Sequence, residues 1–325
     1  MMFKGACLGL LGATLQTLLL APSASAEDWP SRPIHWIVPV SAGGATDISA
    51  RIIQESVSRI LGQPIIIDNK PGGQGVIATD IAVKSPPDGY TLALIYTSHA
   101  SNPSMLPSLP YDSLRDITPV AFLWRAPLAI SVHPSQPYKT FEDLVTAAKK
   151  APGEIPIGSG GVGTGGYFAS ELIQYEAGIK LQHIPYRGGA PALVEFMGGQ
   201  LPVLASNASV PGSQVEPDEM RPLIVSGKDR SPLLPNVPTV FELGYPEAEY
   251  YEWIAFAGPA GIPPEAVEKM NAAITQAIKE PENAKKFAEM GLEHVAMSPE
   301  ELKQFIVDQT DKISDLVKKA NIQVQ

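Results

Sequence analysis

The fold of this chain is decided by a glycine-rich stretch near its amino terminus, Ser41-Ala42-Gly43-Gly44-Ala45-Thr46-Asp47. A β-branched, apolar run at residues 34–40 precedes it and predicts a buried strand. Apolar residues at helical spacing follow in residues 48–61, and Gly62 ends that pattern, which predicts a helix. The stretch, which we call the first glycine loop, therefore joins the carboxyl end of a strand to the amino end of a helix.

That position gives the first glycine loop the properties of an anion-binding site. The first backbone N–H groups of a helix lack partners within the helix and lie at the positive end of its dipole. Glycines let a carboxylate or phosphate approach these groups without a Cβ in the way. The alternative is an ordinary strand–helix turn in which Thr46 or Asp47 caps the helix. This stretch alone leaves both interpretations open.

The first residues of the chain have the pattern of an export signal. Lys4 is followed by an apolar run to residue 21 and by Ala24-Ser25-Ala26, which predicts a signal peptide cleaved after Ala26. The run is short for a membrane span. The only cysteine, Cys7, lies inside this leader, so a mature chain would have neither disulfides nor a cysteine nucleophile. With no second membrane segment in the sequence, we therefore expect a soluble periplasmic or secreted protein, with the periplasm as the preferred location.

Charge restricts the possible partners. The 325 residues carry a formal net charge of −10, which argues against nucleic acid as a ligand. A global negative field does not attract an anionic ligand either, so an anion would need a local site such as the first glycine loop.

Strand and helix patterns alternate along the chain, which predicts a parallel α/β sheet. We expect further strands at residues 65–67, 91–96, 120–124, 128–132, 155–158, 181–185, 203–206, 223–226 and 253–258. We expect helices at residues 76–83, 140–150 and 167–176, one ending at residue 197, and others at residues 264–279, 282–290 and 298–320. Ser98 and His99 would lie in a loop at the same edge of the sheet as the first glycine loop, where ligands of open α/β sheets bind.

Residues 159–166, the second glycine loop, repeat the strand–glycine–helix design. Gly161, Gly163 and Gly166 match G-x-G-x-x-G, which by itself suggests a dinucleotide. The next strand, however, leads into Tyr186 and Arg187 and lacks the carboxylate that would hold a ribose. A second anion site is therefore the preferred interpretation. Residues 186–191 form a third glycine turn, and the two loops together suggest a cleft that closes on a small anion from both sides.

Patterns typical of enzymes are absent from the sequence. The five histidines include no pair at metal-ligand spacing, and no serine lies in G-x-S-x-G. We therefore predict a protein that is not an enzyme and that needs no cofactor and no metal. His99 is the histidine considered for the cleft, although a structural role is the preferred interpretation.

The order of several short motifs along the chain resembles the Bug/TctC-type solute receptors, the extracytoplasmic subunits of tripartite tricarboxylate transporters. These motifs are the first glycine loop, Asn69-Lys70-Pro71-Gly72-Gly73, Pro86-Pro87-Asp88-Gly89-Tyr90, Leu109-Pro110-Tyr111-Asp112, Pro185-Tyr186-Arg187-Gly188-Gly189-Ala190-Pro191 and Pro235-Asn236-Val237-Pro238-Thr239. The resemblance covers essentially the whole mature chain. It implies a type II periplasmic-binding-protein fold, in which two α/β lobes are joined by two crossings near residues 127–132 and 223–226. Lobe 1 would comprise residues 27–128 and 227–325, and lobe 2 residues 129–226.

The resemblance also implies a ligand and a site. The ligand would be a small organic carboxylate, held by backbone N–H groups and ordered waters at the first glycine loop and opposed by the other two glycine segments. Combined with the reasoning from the residues, the expected ligand-binding set is Ser41, Ala42, Gly43, Gly44, Ala45, Thr46, Asp47, Ser98, His99, Ser159, Gly161, Gly163, Thr164, Gly165, Tyr167, Tyr186, Arg187, Gly188, Gly189, Ala190, Ser206 and Asn207.

Three positions depart from the family pattern on the lobe 2 side. Tyr167 stands where such receptors often have histidine, Ser206 where they usually have aspartate, and Arg187 where lysine is commoner. The ligand's identity is therefore not carried over. Loss of a carboxylate and gain of a phenol ring suggest an uncharged or aromatic distal part of the ligand.

The resulting functional expectation is a monomeric receptor that delivers a carboxylate to two membrane subunits of a transporter. A sensor or scavenger without a transporter partner is the alternative, and an exported hydrolase is a remote one. Citrate-like acids, C4 and C5 dicarboxylates, acidic amino acids, nicotinate and aromatic dicarboxylates all stay open as ligands.

Overall fold

The structure, a computed structural model, describes residues 28–216, 218–320 and 322. The predicted signal peptide and Cys7 lie outside these residues. The strands are β1 Ile34–Val38, β2 Ile65–Asn69, β3 Thr91–Tyr96, β4 Ile117–Val132, β5 Pro156–Ser159, β6 Gln182–Pro185, β7 Val203–Asn207, β8 Arg221–Val225 and β9 Tyr251–Pro259. The helices are α1 Ala45–Leu61, α2 Val76–Val83, α3 Thr97–Met105, α4 Phe141–Lys150, α5 Gly165–Ala177, α6 Gly189–Met197, α7 Pro264–Lys279, α8 Pro281–Glu289 and α9 Pro299–Lys319.

The strands form a mixed sheet. Their order is β2-β1-β3-β9-β4-β7-β5-β6, and β8 also pairs with β4. β1 is parallel to β2 and β3, and β5 is parallel to β6 and β7. β9 is antiparallel to β3 and β4, and β4 is antiparallel to β7 and β8. The prediction of a parallel sheet is therefore wrong at β4 and β9, because β9 inserts between β3 and β4 from far along the chain.

β4 is one continuous strand that joins two halves of the sheet. Its first part pairs with β9 as far as Pro127, and from Leu128 onward it pairs with β7 and then β8. We call β1, β2, β3 and β9 the first sheet half, and β5 to β8 the second. The prediction of two separate strands at residues 120–124 and 128–132 is wrong. The polar Arg125 interrupts the apolar pattern, but its side chain pairs with Glu293 at 2.8 Å without ending the strand.

Residues 97–99 were predicted as a loop, and the structure corrects this. They begin helix α3, which contains Pro103 and buries polar side chains as well as apolar ones. The segment has no apolar stripe at helical spacing because it is enclosed by protein on several sides, including α9. A helix buried all round does not show the periodicity on which a sequence-based prediction depends.

The buried apolar side chains form several clusters, and one of the two largest extends across the two sheet halves. Trp36 and Phe256 pack at 4.6 Å within the first half, beneath α1 and α7. A second cluster extends from Ile306 on α9 through Trp253 to Phe168 on α5 and thus reaches both halves. No helix within residues 28–216 and 218–320 is long and apolar enough to span a membrane.

Candidate functional site

The first glycine loop lies exposed at the head of α1, where its backbone faces open space. Residues 41–45 are exposed, and a Cβ placed on Gly43 would meet no atom within 4 Å. Gly44 is the residue that caps α1, without any side-chain hydrogen bond. The interpretation of Thr46 or Asp47 as the helix cap is therefore wrong. The amino end of α1 is left accessible to a ligand.

Asp47 holds this loop from beneath. The residue is 1% exposed, and its Oδ2 accepts hydrogen bonds from the Gly43 N–H and the Arg51 Nε, each at 2.9 Å. Its Oδ1 accepts one from Asn69 Nδ2 at 2.8 Å, and the same Asn69 amide donates to the Val40 carbonyl. Asp47 therefore takes up one loop N–H for the protein itself and ties the loop to α1 and β2 through Arg51 and Asn69.

The hydrogen bonds of Asp47 determine its titration. Burial by itself would raise the pKa of this carboxyl, but donors on Arg51, Gly43 and Asn69 outweigh burial and lower the pKa to about 2. A carboxyl whose folded pKa lies below its unfolded pKa stabilises the fold above the unfolded value and loses that contribution as the pH falls toward the folded value.

We predict that the stabilisation by Asp47 disappears in acid. A pKa lowered from 3.8 to about 2 corresponds to about 2 kcal/mol, present at neutral pH and lost progressively below about pH 4. The free energies of unfolding of the wild type and Asp47→Asn, measured in urea, should therefore differ near pH 6 and converge as the pH approaches about 2. An equal difference at both ends of this range would contradict the network described for Asp47.

The second glycine loop is held by buried polar contacts. Ser159 is fully buried, and its Oγ lies 2.8 Å from His183 Nε2 and accepts the Gly161 N–H at 3.2 Å. Thr164 caps α5 by accepting the Tyr167 N–H, and its hydroxyl donates to the Gly161 carbonyl at 2.7 Å. Burial lowers the pKa of His183 to about 4, so this imidazole is neutral at neutral pH.

The third glycine turn packs directly on the second glycine loop. The Gly188 N–H donates to the Gly160 carbonyl at 3.1 Å. A Cβ on Gly161 would lie 2.8 Å from the Tyr186 carbonyl oxygen. The structure therefore brings together two predicted segments that are separated by a helix and a strand. Gly189 and Ala190 are exposed at the start of α6.

Two side chains from outside the second sheet half reach the second glycine loop. A Cβ on Gly163 would lie 2.9 Å from Gln74 Oε1, and one on Gly165 would lie 3.3 Å from Glu252 Cβ. Gln74 lies between β2 and α2, and Glu252 lies on β9. The glycines of this loop are thus in contact with protein side chains from across the cleft, in contrast to Gly43.

Other predicted site residues occupy more enclosed positions. Ser98 and His99 are each 3% exposed, and His99 Nε2 lies 2.8 Å from the Ser113 carbonyl oxygen. Burial lowers the pKa of His99 to about 4. Tyr167 is 7% exposed, and its ring packs on that of His183 with the ring centroids 4.7 Å apart. His99 thus has the environment of a structural histidine, and little of Tyr167 faces solvent.

The remaining predicted residues lie around the second sheet half. Arg187 is exposed, and no ion pair or side-chain hydrogen bond joins it to another described residue. Ser206 and Asn207 end β7 and are partly buried. Asn207 Nδ2 donates to Glu252 Oε2 at 3.3 Å.

Sequence reasoning missed Gln74, Glu252 and the role of Asn69. Gln74 has φ 53° and ψ 38°, a left-handed conformation that is uncommon for a residue other than glycine. The sequence feature that could have indicated this backbone conformation is the position of the glutamine between Gly73 and Gly75. Nothing in the sequence near Glu252 indicates that β9 carries it to the second glycine loop. Among residues 28–216, 218–320 and 322, no cluster of side chains could hold a metal ion.

Solved structures of known proteins share this architecture. Rpa4515 of R. palustris, solved with adipate, is 30% identical to this chain, with a TM-score of 0.81 over 92% of this chain and 100% of the other. MatC from Rhodopseudomonas palustris, solved with bound malate, is 26% identical, with a TM-score of 0.77 over 89% and 100%. The class is thus that of periplasmic binding proteins, and the predicted fold, two α/β lobes joined at a hinge, is confirmed.

Sequence comparison places the chain within that class. The model described as the tripartite tricarboxylate transporter family receptor, TctC, matches residues 49–322, and the chain belongs to this family. Protein BugT of Bordetella pertussis (strain Tohama I) is 32% identical over 320 residues, 98% of each chain. A protein from the tcbD-tcbE intergenic region of Pseudomonas sp. (strain P51) is 33% identical over 292 residues, 90% of this chain and 87% of the relative. The resemblance to Bug/TctC-type receptors is therefore confirmed, and the family is one of solute-binding receptors, not of enzymes.

Proposed function

We propose that this protein captures a small organic carboxylate in the cleft between its lobes and delivers it to two membrane subunits of a tripartite tricarboxylate transporter. The observation that carries the proposal is the first glycine loop, whose exposed backbone heads α1 and is fixed by buried Asp47. A carboxylate at this position would accept hydrogen bonds from N–H groups that have no partner within the helix. Solved relatives with adipate and malate support a carboxylate as the ligand.

Capture would proceed by closure of the two lobes about the strands that join them. The proposed lobes are residues 27–128 with 227–325, and residues 129–226. β4 changes its pairing partner at Pro127 and Leu128, and β8 joins it from Ala129, which supports crossings near these positions. The ligand shifts the open–closed equilibrium by its differential affinity for the closed form. Export by a signal peptide cleaved after Ala26 would place a monomeric receptor of this kind in the periplasm.

The proposed site comprises the three glycine segments with Ser98, Tyr167, Ser206 and Asn207 near them. The test is a thermal-shift screen of organic acids on mature protein that has been partially unfolded and refolded to remove bound ligand. A ligand at a hundred times its dissociation constant stabilises the fold by about 2.7 kcal/mol. A raised midpoint with one class of acids is the expected result, and no response to any acid would contradict carboxylate binding.

Gly43→Ala should weaken carboxylate binding by at least about tenfold, since a side chain at positive φ strains the loop backbone by about 1–2 kcal/mol and covers the anion position. Gly43 has φ 91° and open space around it, so the fold should survive the substitution. The matched control is Gly62→Ala at the other end of α1, where φ is 70° and no atom lies within 4 Å. Calorimetric titration of both variants checks this, and equal affinities would rule out the loop as the binding site.

A sensor or scavenger using the same cleft is the alternative. Membrane-subunit genes beside the receptor gene would favour transport, because a transported ligand requires membrane subunits. Loss of ligand uptake by cells on deletion of those subunits, with binding by the receptor unchanged, is the outcome expected for the transport function.

A further inference from the structure

Resting on the proposed carboxylate-receptor function, we propose that Glu252 and Gln74 make the distal end of the site selective for a hydrogen-bond donor. The preferred ligand class is then a carboxylic acid with a distal ammonium group. A dicarboxylate is disfavoured.

Glu252 reaches the head of α5 from across the cleft. Glu252 lies at the start of β9, where it pairs with Ala126 of β4. This pairing is next to the position at which β4 passes from one sheet half to the other. The Cβ, Cγ and Cδ atoms of Glu252 would lie 3.3, 3.5 and 3.6 Å from a Cβ on Gly165, the first residue of α5. The amino end of a helix favours a negative charge. Glu252 supplies that charge from within the protein, so the second glycine loop has less need of a ligand carboxylate than the first.

The carboxyl group of Glu252 has no cation beside it. Its hydrogen bond is with the neutral Asn207 amide, and no described Lys, Arg or His forms an ion pair with it. The titratable groups that feel its charge are the phenols of Tyr96 and Tyr250, whose pKa values are raised chiefly by burial. Burial also raises the pKa of Glu252, and Asn207 offsets this in part. A partly buried carboxylate with no cation beside it is stabilised by an opposite charge, which an ammonium group would bring.

Gln74 adds a second hydrogen-bond acceptor that, like Glu252, faces the second glycine loop. Its Oε1 is buried and has no hydrogen-bond partner among the described residues, although it lies against Gly163, two positions from the residue that Glu252 contacts. The backbone of Gln74 is held in a left-handed conformation, and the Asn102 amide donates to its carbonyl at 3.2 Å. A left-handed conformation costs free energy in a residue other than glycine, and such residues cluster at ligand-binding and active sites. A donor on the ligand would satisfy this buried oxygen, whereas a second carboxylate would add another acceptor.

The test compares acids of equal chain length that differ at the distal group. 5-Aminopentanoate is matched with adipate, and 4-aminobutanoate with glutarate. Each is titrated calorimetrically into ligand-free mature protein. We expect at least one amino acid to bind about tenfold or more tightly than its dicarboxylate partner, since charge-assisted hydrogen bonds are the strong ones. Glu252→Gln, which keeps the shape of the side chain, should abolish this preference, and Gln74→Leu should reduce it. Glu268→Gln on the exposed face of α7 is the charge-matched control.

The outcomes separate this proposal from the function on which it rests. The proposal is overturned if the wild type binds a dicarboxylate, or any acid that lacks a distal donor, more tightly than the matched amino acid. That result leaves the proposed function as a carboxylate receptor intact. An unchanged preference in folded Glu252→Gln also overturns it. No binding of any acid overturns the proposed function itself. The wild-type comparison decides the matter even if a variant does not fold.

Discussion

Asp47→Ala should lower the free energy of unfolding by about 3 kcal/mol, because it leaves Arg51, Asn69 and the Gly43 N–H without the carboxylate that joins them. Ligand binding should fall with stability, since the first glycine loop loses the group that fixes its backbone. Urea denaturation at neutral pH measures the first effect. Titration with the best acid from the thermal-shift screen measures the second.

The control for Asp47 is Asp143→Ala on α4. Asp143 also accepts hydrogen bonds from backbone N–H groups at a helix start, those of Lys139 and Thr140, but it is exposed and far along the chain from the loop. Its loss should cost about 1 kcal/mol, as other helix caps do, without changing affinity. Equal costs at the two positions would show that burial of the Asp47 network does not add to its strength.

Gly161→Ala should have an effect of similar size on the second glycine loop. Gly161 has φ 117°, and a Cβ there would lie 2.8 Å from the Tyr186 carbonyl oxygen, which is backbone and cannot rotate away. Backbone strain and the displacement of the third glycine turn together should cost about 3 kcal/mol. Thermal unfolding of the variant and its affinity for the best acid are the measurements.

Gly178→Ala is the matched control for this variant. Gly178 ends α5 with φ 60°, and no atom lies within 4 Å of a Cβ placed there. Its substitution should cost about 1 kcal/mol by strain alone and leave binding unchanged. If Gly161→Ala were no more destabilising than Gly178→Ala, the close packing of the second loop on the third turn would not be a constraint on the fold.

Local sequence patterns predicted helices and strands correctly where the residues that define them are close together in the sequence. The bounds of α2, β3 and α7 agree with the predicted residues 76–83, 91–96 and 264–279. The helix predicted at residues 140–150 forms as α4 and begins with a capping box of Thr140 and Asp143, whose partners are three residues apart. Errors arose where partners are distant in sequence. β4 continues past Arg125 because it pairs there with β9, which lies far along the chain. α3 is surrounded by helices and strands, such as α9, that are also distant in the sequence.

The sequence by itself determined the strand–glycine–helix units and the family. The reason is that helix spacing, turn glycines and capping depend on residues within a few positions of one another. Tertiary structure alone decided the mixed order of the sheet and the continuity of β4. It also decided that Asp47 binds Asn69 and Arg51 below the first loop. Finally, it brought Gln74 and Glu252 against the second loop, since contact across a cleft depends on the packing of two lobes and leaves no periodic signal in the chain.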